Sequence, residues 1–317
     1  MTTTQHYPRR TFSGAHAVLL AAATALAAAP VGRGHVVAQE SRPAADSTVI
    51  VLLGTGTPAP TPNRWGPATA IVVGTRVFLF DAGVGVERRL AAAQLSTRGV
   101  TAAFITHLHS DHTLGLPDLI FTSWVIGRER PFPIYGPPGL ARMVDHIYAA
   151  WGEDIRIRTE GLEHHRPGGY RVDVHEVQPG VIYDSGGVRV RAFRVNHGAW
   201  KDAYGYRIDT RDRSIVISGD TRPSEELVRM ATGVDVLLHE AQLPTAAAPS
   251  GRTDVDWPRY VSADHTTSQQ LGEIAARAHP RLLIVYHNRG QDAELILADI
   301  RRSFGGRVVF GEDLRRY

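Results

Sequence analysis

The sequence predicts an α/β fold in which two β-sheets pack together with helices on the outside. Three observations carry this reading. Short β-branched and aromatic runs recur in two series divided by Gly and Pro turn signals, and helical spacing falls between and after them. The 317 residues, 43% hydrophobic and 21% charged, are enough for a large buried core. The first series lies at 48–53, 70–73, 77–80 and 102–106, with helices at 86–93 and 140–149. The second series lies at 172–177, 188–195, 204–208, 214–217, 234–238 and 282–286, with helices at 224–230, 268–278 and 292–304. No repeat period points to a solenoid and no low-complexity linker follows residue 47, so residues 39–317 are expected to form one domain.

Residues 1–38 read as a cleavable export signal. Arg9-Arg10 precedes an apolar run at 15–29, and Val36-Val37-Ala38 offers small residues for a peptidase before Gln39. The run is shorter than the roughly 20 residues that span a bilayer, so no membrane anchor is expected after cleavage. Arg9-Arg10 followed by Thr11-Phe12 has the form of a twin-arginine signal, and the expected location is periplasmic or secreted. The formal charge of +3 resides in this leader, because without Arg9, Arg10 and Arg33 the chain has 32 basic and 32 acidic side chains. A neutral mature chain gives no global electrostatic reason to bind nucleic acid. The absence of cysteine excludes disulfides, thiol nucleophiles and Cys-type zinc sites.

The sharpest chemical signal is Thr106-His107-Leu108-His109-Ser110-Asp111-His112, which follows an apolar strand. Alternation along a strand end lets His107 and His109 point the same way, and the turn that follows brings Asp111 and His112 round beside them. Imidazole nitrogens and a carboxylate suit Zn²⁺ or a similar divalent ion. Further candidate ligands stand at later strand ends: His197, Asp220 and His287. Together they supply enough ligands for two metals, with Asp220 able to bridge them.

The order His-x-His-x-Asp-His, then His197, Asp220 and His287, resembles the metallo-β-lactamase superfamily. Within it the chain is most similar to the ribonuclease Z and arylsulfatase-like branch. Supporting segments are Leu53-Gly54-Thr55-Gly56-Thr57, Phe80-Asp81-Ala82-Gly83, Ser218-Gly219-Asp220-Thr221 and His239-Glu240-Ala241. The resemblance implies a four-layer αβ/βα sandwich of two mixed sheets packed face to face. It implies two divalent metal ions, zinc foremost, one held by His107, His109 and His197 and the other by Asp111, His112 and His287, with Asp220 between. Asp81 would support the ligands from behind. Catalytic roles fall to Asp111, Glu240 and His265, the last two protonating the leaving group.

The expected activity is hydrolysis of small phosphodiesters or aryl sulfates by a water activated between the metals. The alternative is an acyl hydrolase acting on a lactone, thioester or β-lactam. The expected partner is a small anionic ester, and a homodimer is compatible with the sequence. Ribonuclease Z enzymes that grip tRNA carry a long arm where only Asp209–Arg213 stand here, so tRNA is not the expected substrate. A second departure is Gln242, where the family more often has Thr. His146, His164, His165, His175 and His279 fall outside the ligand pattern, and Lys201, the only lysine, is read either as a charge that holds an anionic substrate near the metals or as a solvated residue, and stays outside the expected site.

The leader has a direct test. Amino-terminal sequencing of exported protein is expected to begin near Gln39, whereas an intact Met1 would contradict a cleaved signal.

Overall fold

The computed structural model describes residues 47–243, 256–289 and 293–317. Residues 1–38, where an export signal is expected, lie outside them. All described residues belong to one compact unit that runs from Pro43 to Tyr317.

Strands β1 (Thr48–Gly54), β2 (Ala68–Val73) and β3 (Arg76–Phe80) form an antiparallel meander. Helix α1 (Val86–Ala92) leads to β4 (Val100–Phe104), parallel to β3. Helices α2 (Ser110–Thr113) and α3 (Leu116–Val125) precede β5 (Phe132–Gly136). Helices α4 (Leu140–Ala150) and α5 (Gly152–Glu160) then lead to β6 (Val172–Glu176), and the first sheet has the order β1-β2-β3-β4-β5-β6. The second sheet begins with antiparallel β7 (Gly180–Ser185), β8 (Val188–Arg194), β9 (Tyr204–Asp209) and β10 (Ser214–Ile217). It continues through α6 (Glu225–Ala231), β11 (Val236–Glu240), α7 (Trp257–Asp264), α8 (Ser268–Ala278), β12 (Leu282–Tyr286), α9 (Ala293–Ser303) and β13 (Val308–Phe310). Strands β10 to β13 are parallel, giving a seven-stranded sheet in order β13-β12-β11-β10-β9-β8-β7. Both sheets are therefore mixed, as the resemblance implies.

Side-chain alternation sorts the core into layers. Ile50 and Leu52 of β1, Phe78 and Phe80 of β3, Tyr204 and Tyr206 of β9, and Ile215 and Ile217 of β10 fill the space between the sheets. The intervening residues face outward to helices. Val51 and Leu53 join Val86 and Leu90 of α1 and Leu119 of α3, while Val216 and Leu283 join Leu227 of α6, Leu271 of α8 and Ile300 of α9. This is the four-layer sandwich. The two sheets are also pinned by polar contact, since the buried Tyr206 hydroxyl donates to the Ile105 carbonyl at 2.6 Å.

Several elements were not foreseen from periodicity. Helix α3 buries residues on several sides, which hides a 3.6-residue period, and α5 buries none and is laced by Arg156–Glu153 and Arg158–Asp154 pairs. Strands β7 and β13 lie at the edges of their sheet. The strand expected at 234–238 runs from Val236 to Glu240, which places Glu240 at its carboxyl end.

One core position carries a polar cost. Glu87, in the first turn of α1, is 2% exposed and neither carboxylate oxygen has a hydrogen-bond partner among the described residues. Burial first, and then the charge of Asp118, pushes its pKa up to about 8 against the opposing pull of Arg128. The folded chain thus holds a proton that the unfolded chain releases above its ordinary pKa of 4.5, so this residue makes stability fall as pH rises from about 5 to 8. Glu87→Gln is expected to flatten that slope and to gain roughly 1–3 kcal/mol over the parent at pH 8 relative to pH 5, measured by urea unfolding. An equal difference at both pH values would contradict a buried protonated Glu87.

Candidate active site

The chemistry-bearing side chains gather where strands of both sheets end. Asp81 follows β3, Thr106 and His107 follow β4, Asp220 follows β10, Glu240 closes β11 and His287 follows β12. In open α/β sheets the carboxyl ends of parallel strands form such crevices, because loops there are free to vary without disturbing the core. His197 comes from the loop after β8, and Asp111 and His112 from the short α2.

One cluster is made of three imidazoles. His107 Nε2 lies 2.9 Å from His109 Nδ1, which lies 3.0 Å from His197 Nε2. Each ring is oriented from behind. The Thr106 hydroxyl meets His107 Nδ1 at 3.0 Å, and His197 Nδ1–H donates to the Asp264 carbonyl at 2.7 Å. The Trp200 indole N–H donates to His109 Nε2 at 2.7 Å. A neutral His109 therefore carries its proton on Nδ1, and binding a cation through Nδ1 requires that proton to leave.

The second cluster adds carboxylates. His287 Nε2 is 3.2 Å from both His112 Nε2 and Asp111 Oδ2, and His112 Nε2 is 3.5 Å from Asp111 Oδ2 and from Asp220 Oδ1. Asp81 fixes His112 by accepting from its Nδ1–H at 2.9 Å, and is itself held by the Thr106 backbone N–H at 2.8 Å. The turn carrying Asp220 needs glycine at 219, where φ is 61° and an added Cβ would stand 2.8 Å from the Tyr204 carbonyl oxygen.

The electrostatics are those of a site shaped around positive charge. Burial alone would raise the Asp220 pKa, but His287, His112 and His107 hold it well below the usual carboxylate range. Burial likewise opposes charge on His112, yet Asp81, Asp220 and Asp111 raise its pKa well above the ordinary value. His107 has burial and neighbouring imidazoles against its charge and is driven low, so it stays neutral. Among the described residues, Asp220 Oδ1 and His287 Nδ1 are buried without hydrogen-bond partners. Ligands about 2.0–2.2 Å from a tetrahedral divalent ion lie roughly 3.3–3.6 Å apart, close to the 3.2–3.5 Å separations of the second cluster and a little wider than the 2.9–3.0 Å of the first. The donor set of imidazoles and carboxylates, with orphaned acceptors, fits divalent metal.

Glu240 and His265 form a separate pair on the wall of the site. Glu240 is fully buried and accepts from the Thr221 backbone N–H at 2.7 Å and from His265 Nδ1–H at 2.8 Å. Burial opposes charge on His265, but Glu240 and then Asp220 push its pKa up to about 9. His265 also belongs to a potential ligand group with His197 and Asp220. Because its Nδ1 is engaged by Glu240, the ring directs Nε2 toward the Tyr260 hydroxyl, 3.3 Å away. Gln242 has a bracing role: its side-chain amide donates to the His287 carbonyl, and its backbone bonds Thr266 and Ser268, just after His265.

Asp111, Asp220, His265 and His287 line a cavity of about 630 Å³ whose wall also includes Trp257 and Tyr260. Sequence reasoning missed Trp200, Trp257 and Tyr260. Lys201 lies outside this cavity, in a neighbouring groove with Arg194 and Arg222. His165 and His175 pair with Glu163 and Asp173 away from the site.

The β-lactamase superfamily domain family matches residues 76–288. A Mycobacterium sp. (strain KMS) protein named ribonuclease Z is 37% identical over 278 residues, covering 84% of this chain and 94% of the relative. The ribonuclease Z of Mycobacterium bovis (strain BCG / Pasteur 1173P2) is 35% identical over 283 residues, covering 84% and 96%. Among solved structures, human tRNase Z, short form, superposes with a TM-score of 0.63 at 25% identity over 85% of this chain and 98% of that one. The metallo-β-lactamase fold protein YhfI from Bacillus subtilis gives 0.68 at 18% identity over 86% and 99%, a likeness of fold.

If Asp220 stands between two metals, Asp220→Ala is expected to lower bound divalent ion from about two per chain, read by elemental analysis. Asp81→Asn should weaken metal affinity about 10–100-fold through His112. Full metal content in both variants would remove these carboxylates from the site.

Proposed function

The chain belongs to the metallo-β-lactamase superfamily, in its ribonuclease Z branch, and on that premise we propose that it is an exported metal-dependent hydrolase of small phosphodiesters. The observation that carries the reading is the Glu240–His265 pair on the wall of the cavity that the two clusters line. Acyl transfer from an activated ester has little need of a proton donor at the leaving group, whereas a phosphodiester with an alkoxide leaving group does.

His107, His109 and His197 would hold one divalent ion, and Asp111, His112 and His287 the other, with Asp220 reaching both. When bound, such ions supply Lewis acidity toward phosphoryl oxygens and activate a water. The protein's own part is orientation and proton transfer. Glu240, itself fixed by the Thr221 N–H, holds His265 with Nδ1–H directed to the carboxylate, so the second proton sits on Nε2 facing the cavity. Overall, one water adds across the P–O bond. Its oxygen joins phosphorus, the departing oxygen takes the Nε2 proton of His265, and a proton of the water is released, leaving a monoester and an alcohol.

Aryl sulfates present the same tetrahedral anion and are a secondary substrate in this reading. An RNA end is a second reading, favoured by the Mycobacterium relatives named ribonuclease Z. The turn between β9 and β10, closed by Thr210 N–H donating to the Arg213 carbonyl, is short. It does not count against RNA, however. The 278 aligned positions little exceed the stretch of this chain that they cover, so the Mycobacterium relative has no long arm within the alignment either. The leader at 1–38 supports the small-diester reading, because an exported enzyme meets no cytoplasmic tRNA precursor.

Purified protein is expected to turn over bis-p-nitrophenyl phosphate well ahead of nitrophenyl sulfate, a lactone, nitrocefin or a tRNA precursor. Preference for the precursor would favour the RNA reading, and preference for the lactone or nitrocefin would overturn phosphodiester hydrolysis. His265→Ala should slow diesters with poor leaving groups about 10²–10⁴-fold, spare nitrophenyl esters, and leave metal content unchanged. Equal losses on both ester types would make His265 a binding or structural residue.

A further inference from the structure

The cavity wall beside the proton donor is aromatic. Trp257 and Tyr260 lie three residues apart on α7 and so share one face of that helix. Their rings stack with centroids 5.2 Å apart and planes 27° from parallel. Tyr260 is tied to the donor, its hydroxyl 3.3 Å from His265 Nε2 and its ring centroid 5.4 Å from the imidazole. Pro58, Ala59 and Pro60 add apolar surface to the same cavity, whereas the metal-ligand candidates supply its polar floor.

This polarity fixes an orientation. Whatever bond is broken, the leaving oxygen has to reach His265 Nε2, and the group attached to that oxygen then lies against Tyr260 and Trp257. An anionic group gains little from such a wall, and a saturated ring gains burial but no stacking. A flat aromatic ring gains stacking, which favours a base on an aromatic side chain by roughly tenfold or more in affinity. We propose that the Trp257–Tyr260 wall is a leaving-group subsite for a flat aromatic ring, so that the substrates are phosphodiesters whose departing alcohol carries a nucleobase or an aryl group. The inference rests on the proposed phosphodiesterase reading and adds to it which arm of the diester is selected.

The test uses full-length enzyme, loaded with zinc, and methyl phosphodiesters that differ only in the leaving alcohol. Benzyl alcohol, a nucleoside 5′-hydroxyl and cyclohexylmethanol provide aryl, nucleobase and saturated arms of comparable basicity. The aromatic arms should exceed the cyclohexyl arm about tenfold in kcat/KM, mainly through KM. Trp257→Leu should bring that ratio near one, while Tyr260→Phe, which keeps the ring, should retain it. A nucleoside arm favoured over benzyl would identify nucleotides as the source of the ring, and the reverse would identify aryl esters. No preference between benzyl and cyclohexylmethyl arms in the parent enzyme, or a preference unchanged in Trp257→Leu, would overturn the subsite. Absence of turnover on every diester would instead sink the phosphodiesterase reading. The subsite is then tested separately by tryptophan fluorescence: adenosine should quench the parent and not Trp257→Leu, and no quenching of the parent would overturn it.

Discussion

The structure depends on one constraint: three nitrogens and then a set of nitrogens and carboxylate oxygens are held about 3 Å apart inside a buried pocket. His107, His112, His197, Asp220 and His287 are all at most 2% exposed. Groups of this kind are costly to bury unless each is paired or a cation is shared among them. The hydrogen bonds that are present serve mainly to aim the rings. Asp81, Thr106 and the Asp264 carbonyl each take the rear nitrogen or flank of a histidine, leaving the front atoms of several strands directed at common points.

The fold makes that convergence affordable by spreading it over strand ends. No two of the β3, β4, β10, β11 and β12 contributions depend on the same loop, while the strands behind them are locked by apolar faces on both sides. Contacts between the sheets then set the distance between the two half-sites. Phe104 of the first sheet meets Tyr206 of the second at 5.8 Å, immediately behind the His107 strand end. Gly219 lets the Asp220 turn pass against Thr106 and the Tyr204 carbonyl, so ligands from opposite sheets come within reach of one another.

Much of this was legible in the sequence, for physical reasons. The ligand candidates stand directly after apolar strand runs, and such positions leave the core at a predictable place. That is why His107, Asp220 and His287 could be singled out without any contact information. The proton-donor wall was not legible. Residues 256–264 mix polar and apolar side chains about a proline without a clear helical period, so α7 was missed and with it Trp257 and Tyr260. Trp200 was missed for a different reason: its role depends on an indole reaching His109 from a loop 91 residues away in sequence, which no local period encodes. Glu240 was singled out by its motif, and its placement at the end of β11 became clear only once that strand was seen to start at Val236.

Under the proposed reading this chain builds two metal positions, one among His107, His109 and His197 and one among Asp111, His112 and His287. Anomalous diffraction at the zinc edge, from crystals grown with zinc, addresses it directly. The account predicts two anomalous peaks, each enclosed by one of these triads, with Asp220 beside both. A single peak, or peaks enclosed by other residues, would contradict it.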